Sequence, residues 1–162
     1  MKTSNGYTRL QIGLHWAIAV LIVTAWFISD DMGKALRARI EAGDTGFANG
    51  TVHGMVGFTV FVLVLIRIIV RFASGAPAAT PETSARMALA AKWGHRLIYV
   101  LMLAVPAAGM GAWFGHVTQA GELHETLANA LMIVAGGHAA LAIYHHAVMK
   151  DGTLDRMRKP AS

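Results

Sequence analysis

The sequence contains no cysteine and unusually little charge. Only 14% of its 162 residues are Asp, Glu, Lys or Arg, against about 25% in soluble domains. The absence of cysteine excludes a disulfide framework, a zinc finger, an iron–sulfur cluster and a thiol nucleophile. The low charge, together with a hydrophobic content of 55%, excludes a disordered chain and a water-soluble globule. Composition alone therefore indicates a membrane protein.

Four apolar stretches are long enough to cross a membrane, and they lie at 10–29, 51–72, 97–115 and 123–149. About 20 helical residues cross the hydrocarbon core of a bilayer. The stretch 73–91, which is rich in Ala, Pro, Ser and Thr, predicts a loop between the second and third spans. The sequence predicts an all-α fold, a transmembrane four-helix bundle that forms one domain over residues 1–162.

The basic residues fall mainly on one side of these spans. Of the 14 Lys and Arg residues, only those at 34, 37 and 39 lie on the other side. Cytoplasmic loops are enriched in Lys and Arg, so both termini are predicted to be cytoplasmic. The formal net charge of +5 then reflects topology, and no nucleic-acid partner is expected. The residues on the side of the termini are Lys2, Arg9, Arg67, Arg71, Arg86, Lys92, Arg96, Lys150, Arg156, Arg158 and Lys159.

Eight histidines carry the chemistry of this apolar chain. His124 and His138 are 14 residues apart, which places both on one face of a helix and about 21 Å apart along it. This spacing suits two haem groups stacked across a bilayer, each with a second axial imidazole from a facing helix. His53 lies level with His124 near the outer surface, and His15 lies at the inner level. Depth favours His145 and helix face favours His138 as the partner of His15, so the spacing leaves that choice open.

Other interpretations of these residues stay open at this point. A single histidine inside a membrane span often only hydrogen-bonds a neighbouring helix. A metal transporter could also use histidines along its path, although the spans lack the paired carboxylates and cysteines of such sites. Arg67, which lies near the inner end on nearly the same face as His53, either meets a haem propionate or anchors the helix at the interface. Because the chain has no Cys-x-x-Cys-His motif, the two haem b groups are expected to be non-covalent.

Several motifs are spread over nearly the whole chain, and they comprise Tyr7, Arg9–Ile12, Leu14–Trp16, His53, Gly54, Gly57, Arg67, Arg71, Gly94, His95, Leu97, Tyr99, Pro106, Gly109, His124–Asn129, His138–Ala140, His145, His146, Lys150–Leu154, Arg156 and Met157. Together they resemble the bacterial cytochrome b561 family. The resemblance implies a multi-pass protein of the bacterial cytoplasmic (inner) membrane with two haem b groups. It implies that His15 and His138 hold the inner haem, and that His53 and His124 hold the outer one. Some members of the family are similar to an enzyme that oxidises superoxide and reduces ubiquinone, and related cytochromes carry electrons for membrane hydrogenases.

The inner end of the bundle carries the residues expected to handle ubiquinone. Quinone reduction requires protons as well as electrons, and a histidine is a suitable donor near neutral pH. His95 and His145 lie toward the inner end, and we predict that they are the proton donors. We predict that Lys92, Arg96 or Lys150 holds a quinone oxygen.

The outer end of the bundle is where the electron donor is expected to react. This donor is expected to be superoxide or another periplasmic donor. Acidic residues outnumber Lys34, Arg37 and Arg39 on this side, which opposes the steering of an anion. Lys34, Arg37 and Arg39 nevertheless fall within six residues, and the spacing of Lys34 and Arg37 allows a short basic helix over the outer haem. The alternative function is a haem b subunit that feeds quinone with electrons from a partner dehydrogenase or hydrogenase. The expected partners are membrane lipid, ubiquinone and one of these donors.

Overall fold

All the regular secondary structure in the described part of the chain is helical. A computed structural model describes residues 6–46, 50–77 and 84–161, and every regular element in these ranges is a helix. This confirms the all-α fold with four long apolar helices. The α-helices are α1 (Arg9–Phe27), α2 (Met32–Glu41), α3 (Val52–Ser74), α4 (Ala85–Gly115) and α5 (Thr118–Tyr144). A π-helical turn (His145–Met149) continues α5, and a 3₁₀ turn (Asp155–Met157) follows it.

Hydroxyl side chains cap the N-termini of three of the long helices. The Thr8 hydroxyl accepts a hydrogen bond from the Gln11 amide, and the Gln11 side chain accepts one from the Thr8 amide, which forms a capping box before α1. Thr51 caps α3 and Ser84 caps α4 in the simpler way, because each hydroxyl accepts a backbone N–H from the first turn. These caps satisfy amide groups that a helix start leaves without intrahelical partners.

The third long helix begins earlier than the sequence predicts. Helix α4 starts at Ala85 rather than near 97, so the predicted loop over 73–91 is wrong for residues 85–91. Alanine-rich sequence favours a helix once Ser84 supplies the cap. Lys2, one of the basic residues assigned to the side of the termini, lies outside the described residues.

The buried core lies at the middle level of the bundle. It consists of residues from all four long helices: Ile18, Val60, Val64, Leu101, Met102 and Leu131. Apolar side chains also cover the outside of the bundle, where Phe72 is 79% and Ile133 is 76% exposed. An apolar exterior of this kind is what a lipid-facing helix presents. The helices pack mainly as α1 with α3, α3 with α4, and α4 with α5.

The bundle has two distinct ends. At the end that we call the termini side, the Ala161 amide donates to the Tyr7 carbonyl at 3.0 Å. The Trp16 indole also donates to the Met157 carbonyl at 2.8 Å, so the C-terminal segment lies against the start of α1. The opposite end, which we call the α2 side, carries helix α2 and the turn between α4 and α5. The alternation of four spanning helices thus places the start of α1 and the described C-terminal segment at the same end.

Candidate functional site

One pair of histidines faces across the bundle on the α2 side. The ring centroids of His53 on α3 and His124 on α5 are 5.8 Å apart, with an interplanar angle of 83°. Nδ1 of His53 lies 2.9 Å from the Ala25 carbonyl oxygen, and Nδ1 of His124 lies 2.8 Å from that of Val105. A carbonyl oxygen only accepts, so each ring is protonated at Nδ1. In the neutral form of each ring the lone pair is then on Nε2, the arrangement typical of a metal-binding histidine.

A second group of histidines lies on the termini side. The centroids of His15 on α1 and His138 on α5 are 6.4 Å apart. His95 on α4 also approaches His138, with a centroid separation of 5.0 Å, while its Nδ1 bonds the Ala91 carbonyl of its own helix at 2.6 Å. The structure thus brings the predicted inner ligands together and places His95 beside them. Ligation by these residues stays a prediction.

The two facing pairs fit a group that binds one imidazole on each side of a metal ion. Bonds between a metal ion and an imidazole nitrogen are about 2 Å, so two rings on opposite sides of one ion have centroids about 6 Å apart. The measured values are 5.8 and 6.4 Å. Both pairs link α5 to the packed α1–α3 hairpin, and among the described residues α1 and α5 themselves make few close backbone contacts. The residues present therefore fit haem at two levels.

Arg67 lies at the termini side and connects three helices. Its Nε donates to the Tyr99 hydroxyl at 3.2 Å and its Nη1 donates to the Gln11 carbonyl at 2.9 Å. The Gln11 side chain in turn donates to the Gly75 carbonyl at 2.9 Å. A small cavity beside this network is lined by Arg67, Tyr99, Gln11 and the neighbouring Arg71. Arg67 is thus a partly buried cation between helices, and its predicted contact with a haem propionate stays a prediction.

His145 does not face His15 but pairs with Asp151. Its Nδ1 lies 2.5 Å from Asp151 Oδ2, and the His145 and Asp151 side chains are 17% and 3% exposed. Desolvation raises the pKa of Asp151, but hydrogen bonds from His145 and Thr153 outweigh it and lower the pKa to about 2. Sequence reasoning missed Asp151. The signal was present, because an acid follows the last histidines immediately after the span.

The remaining predicted quinone residues lie near the same end of the bundle. Lys92 is exposed on the early part of α4, and the Arg96 guanidinium lies over the Trp93 ring at 4.8 Å. Lys150 is exposed in a left-handed conformation after the π-helical turn, with φ of 53°. These cations lie on two helix ends, and their contact with a quinone stays a prediction.

The basic helix predicted over the outer haem is only partly correct. Helix α2 is present, and Leu36 packs close to Gly121 one turn before His124. However, Arg39 is buried, with its guanidinium bonded to Asp44 and stacked on Trp113. The Lys34 ammonium is paired with Asp31 at 2.6 Å. The three residues therefore do not form one exposed basic cluster, because Asp31 and Asp44, which flank α2, supply acidic partners for two of them.

Comparison with known proteins gives matches over nearly the whole chain. A family model described as prokaryotic cytochrome b561 matches residues 6–160. Cytochrome b562 of Cereibacter sphaeroides is 40% identical over 165 residues, covering 99% of each chain. The protein named "Probable superoxide oxidase CybB" of Yersinia pestis is 32% identical, covering 93% of this chain and 94% of that one. Cytochrome b561 homolog 1 of Escherichia coli is 29% identical, covering 94% and 97%.

Proposed function

The chain belongs to the prokaryotic cytochrome b561 family, and we propose from this premise that it transfers electrons across a membrane by means of two haem b groups. The family is one of haem-containing, membrane-integral electron-transfer proteins. The observation that supports two groups is the presence of two facing imidazole pairs at different levels. In this proposal His53 and His124 hold one haem. His15 and His138 hold the other.

Bound haem supplies the one-electron chemistry that the side chains of this protein lack. The chain positions the two groups and keeps water from the space between them. Leu131 lies midway between His124 and His138 on α5 and belongs to the buried core shared by all four long helices. A dry apolar layer between the two levels allows electrons to move between them while it blocks the passage of ions.

We propose that both termini are cytoplasmic and that the protein lies in the bacterial inner membrane. The excess of Lys and Arg on the termini side supports this orientation. Under this proposal the His53–His124 pair lies near the periplasm and the His15–His138 pair lies near the cytoplasm. The exposed apolar faces of the long helices contact membrane lipid.

Superoxide is the proposed donor and ubiquinone the proposed acceptor. Two superoxide anions each lose one electron to become dioxygen, and one ubiquinone gains both electrons and two protons to become ubiquinol. The resemblance to a relative named as a probable superoxide oxidase supports this pair of substrates. Family membership favours electron transfer over the metal-transport alternative.

The termini side has the groups that proton delivery to a quinone requires. His145, held by Asp151 through Nδ1, keeps Nε2 for exchange of a proton with a quinone oxygen, and Asp151 restores the charge balance when the ring is protonated. His95, beside His138, is the second proposed proton donor. Lys92, Arg96 and Lys150 are the proposed cations that bind the quinone oxygens.

A partner-fed electron carrier is the second candidate function. The pairing of Lys34 with Asp31 and the burial of Arg39 leave little exposed positive charge on α2 to attract superoxide. Stopped-flow mixing with superoxide at rising ionic strength separates the two functions. A fast haem reduction that salt slows, and that a Lys34→Gln/Arg37→Gln variant slows further, supports superoxide as donor. A slow, salt-independent reduction unaffected by these changes supports a protein partner.

The number of haems and their ligands can be tested directly on purified protein. A pyridine haemochrome assay is expected to give two haem b per chain. The His53→Ala or His124→Ala variant should lose one haem and keep the other reducible by ubiquinol, and His15→Ala should do the converse. One haem or none in the wild type would contradict the proposal. Loss of the termini-side haem in His145→Ala or His95→Ala, with retention in His138→Ala, would contradict the ligand assignment.

A further inference from the structure

The ring of His124 on α5 lies against Gly109 on α4. A Cβ atom placed on Gly109 would lie 2.9 Å from Nδ1 and 3.2 Å from Cε1 of the His124 ring. Ordinary carbon contacts are about 3.5–4.0 Å, so no other amino acid fits there unless the ring moves. The ring therefore lies directly against the backbone of α4.

The same helix supplies the hydrogen-bond acceptor of that ring. The carbonyl of Val105, one helical turn before Gly109, accepts a bond from His124 Nδ1 at 2.8 Å. On its other side the ring faces His53, with 5.8 Å between centroids. Contact with the Gly109 backbone, the bond to Val105 and the facing ring together restrict the position, the tautomer and the rotation of the His124 imidazole.

Neighbouring close contacts between the two helices do not restrict the ring in this way. A Cβ on Gly111 would meet the Ala120 side chain at 3.7 Å, which is ordinary contact. The interface thus tolerates an added methyl group two residues away on α4. The intolerance at Gly109 comes from His124 and not from general crowding.

We propose that Gly109 and the Val105 carbonyl are positioning groups for His124, which they orient as an axial ligand on the α2 side. The proposal rests on the proposed ligation of haem by His124. A histidine ligand needs an acceptor for its second ring nitrogen, and loss of that acceptor weakens metal binding and lowers the basicity of the ligand. A side chain at position 109 would push the ring away from the Val105 carbonyl. It would therefore weaken metal binding and lower the basicity of the ligand.

The test compares Gly109→Ala with Gly111→Ala in the purified full-length protein. Both changes raise helix propensity equally, so a difference between them reports the contact with His124. Gly109→Ala is expected to bind the α2-side haem about 10- to 100-fold more weakly. The haem that remains should have a raised reduction potential, because a less basic imidazole stabilises the oxidised iron less. Its electron paramagnetic resonance signal should also shift as the ring rotates from the near-perpendicular arrangement.

The content of termini-side haem reports, within each sample, whether the variant has folded. If wild type and Gly111→Ala contain two haems and Gly109→Ala retains both with unchanged potentials and spectra, the positioning proposal is wrong and the proposed function stands. If the wild type itself lacks the second haem, the proposed function is wrong.

A measurement on the haem-free wild type covers the case in which Gly109→Ala does not fold. Nitrogen-15 resonance of labelled histidine should show His124 protonated at Nδ1, with the signal identified by its loss in His124→Gln. Protonation at Nε2 instead would overturn the proposal, since the Val105 bond requires the Nδ1 proton.

Discussion

Replacing Arg39 with glutamine is expected to lower the stability of the protein by about 3 kcal/mol, because it breaks a buried ion pair. The Arg39 side chain is 3% exposed and donates to Asp44 Oδ2 at 3.1 Å. It also donates to the carbonyls of Trp113 at 3.0 Å and Gly46 at 2.6 Å. Loss of one partner from a buried pair costs about 3–5 kcal/mol. Asp44 is 26% exposed and regains some hydration, so the lower end of that range applies.

Thermal unfolding in detergent would measure this effect. For a chain of this size, about 3 kcal/mol corresponds to a fall in Tm of roughly 6–12 °C. Arg37→Gln is the matched control, because Arg37 lies on the same helix and is exposed, so its change should be within about 0.5 kcal/mol of zero. Arg39→Lys should give an intermediate fall, because an ammonium group keeps the charge but cannot reproduce the guanidinium fork or its stacking on Trp113.

The same experiment tests whether Arg39 anchors α2 to the end of α4. If the Arg39→Gln and Arg37→Gln variants unfold at the same temperature, Arg39 does not anchor α2 to the end of α4, and the predicted loss of stability is wrong. If Arg39→Gln also loses the α2-side haem first on heating, α2 contributes to the cover of that site. Loss of the termini-side haem first would locate the weakness elsewhere in the bundle.

Three further outcomes follow from the groups at the termini side. Asp151→Asn should slow reoxidation of the reduced protein by ubiquinone by roughly 10-fold or more, since His145 loses its ionised partner, whereas Asp155→Asn should not. The pKa of Asp151 is lowered to about 2. The stabilisation that ionised Asp151 gives to the C-terminal segment should therefore persist above about pH 4 and disappear as the pH falls toward 2. Hydrogen exchange of the Thr153 amide would measure this loss. Arg67→Gln should lower the potential of the termini-side haem in a redox titration and leave the other unchanged, because loss of a nearby cation favours the oxidised iron.

The levels of the histidines could be predicted because they depend on one helix at a time. Rise per residue and hydropathy locate the spans, and alternating direction then places His53 level with His124 and His15 at the opposite level. The partner of His15 stayed open between His138 and His145 on spacing alone, and the family resemblance implied His138. The structure brings both pairs to facing positions. These properties follow from length and periodicity and need no knowledge of how neighbouring helices approach each other.

The contacts that hold those histidines could not be predicted in the same way. The contact of the His124 ring with Gly109 depends on the distance between α4 and α5. The burial of Arg39 depends on where α2 meets Trp113. Both are properties of packing between elements. From the sequence alone, Gly109 is interpreted as a helix-weakening residue in a span and Arg39 as an exposed cation of a short basic helix. Their functions become visible only when the neighbouring element is placed.

The choice between His138 and His145 shows where single-helix reasoning ends. Counting 100° per residue along α5 places both rings near one face, and depth slightly favours His145. The α-helix, however, ends at Tyr144 and continues as a π-helical turn, in which the angle per residue is smaller. Lys150 then adopts a left-handed conformation and turns the chain back, which brings Asp151 to His145. A helical-face argument holds only while the helix keeps one geometry, and His138 lies within that range whereas His145 lies beyond it.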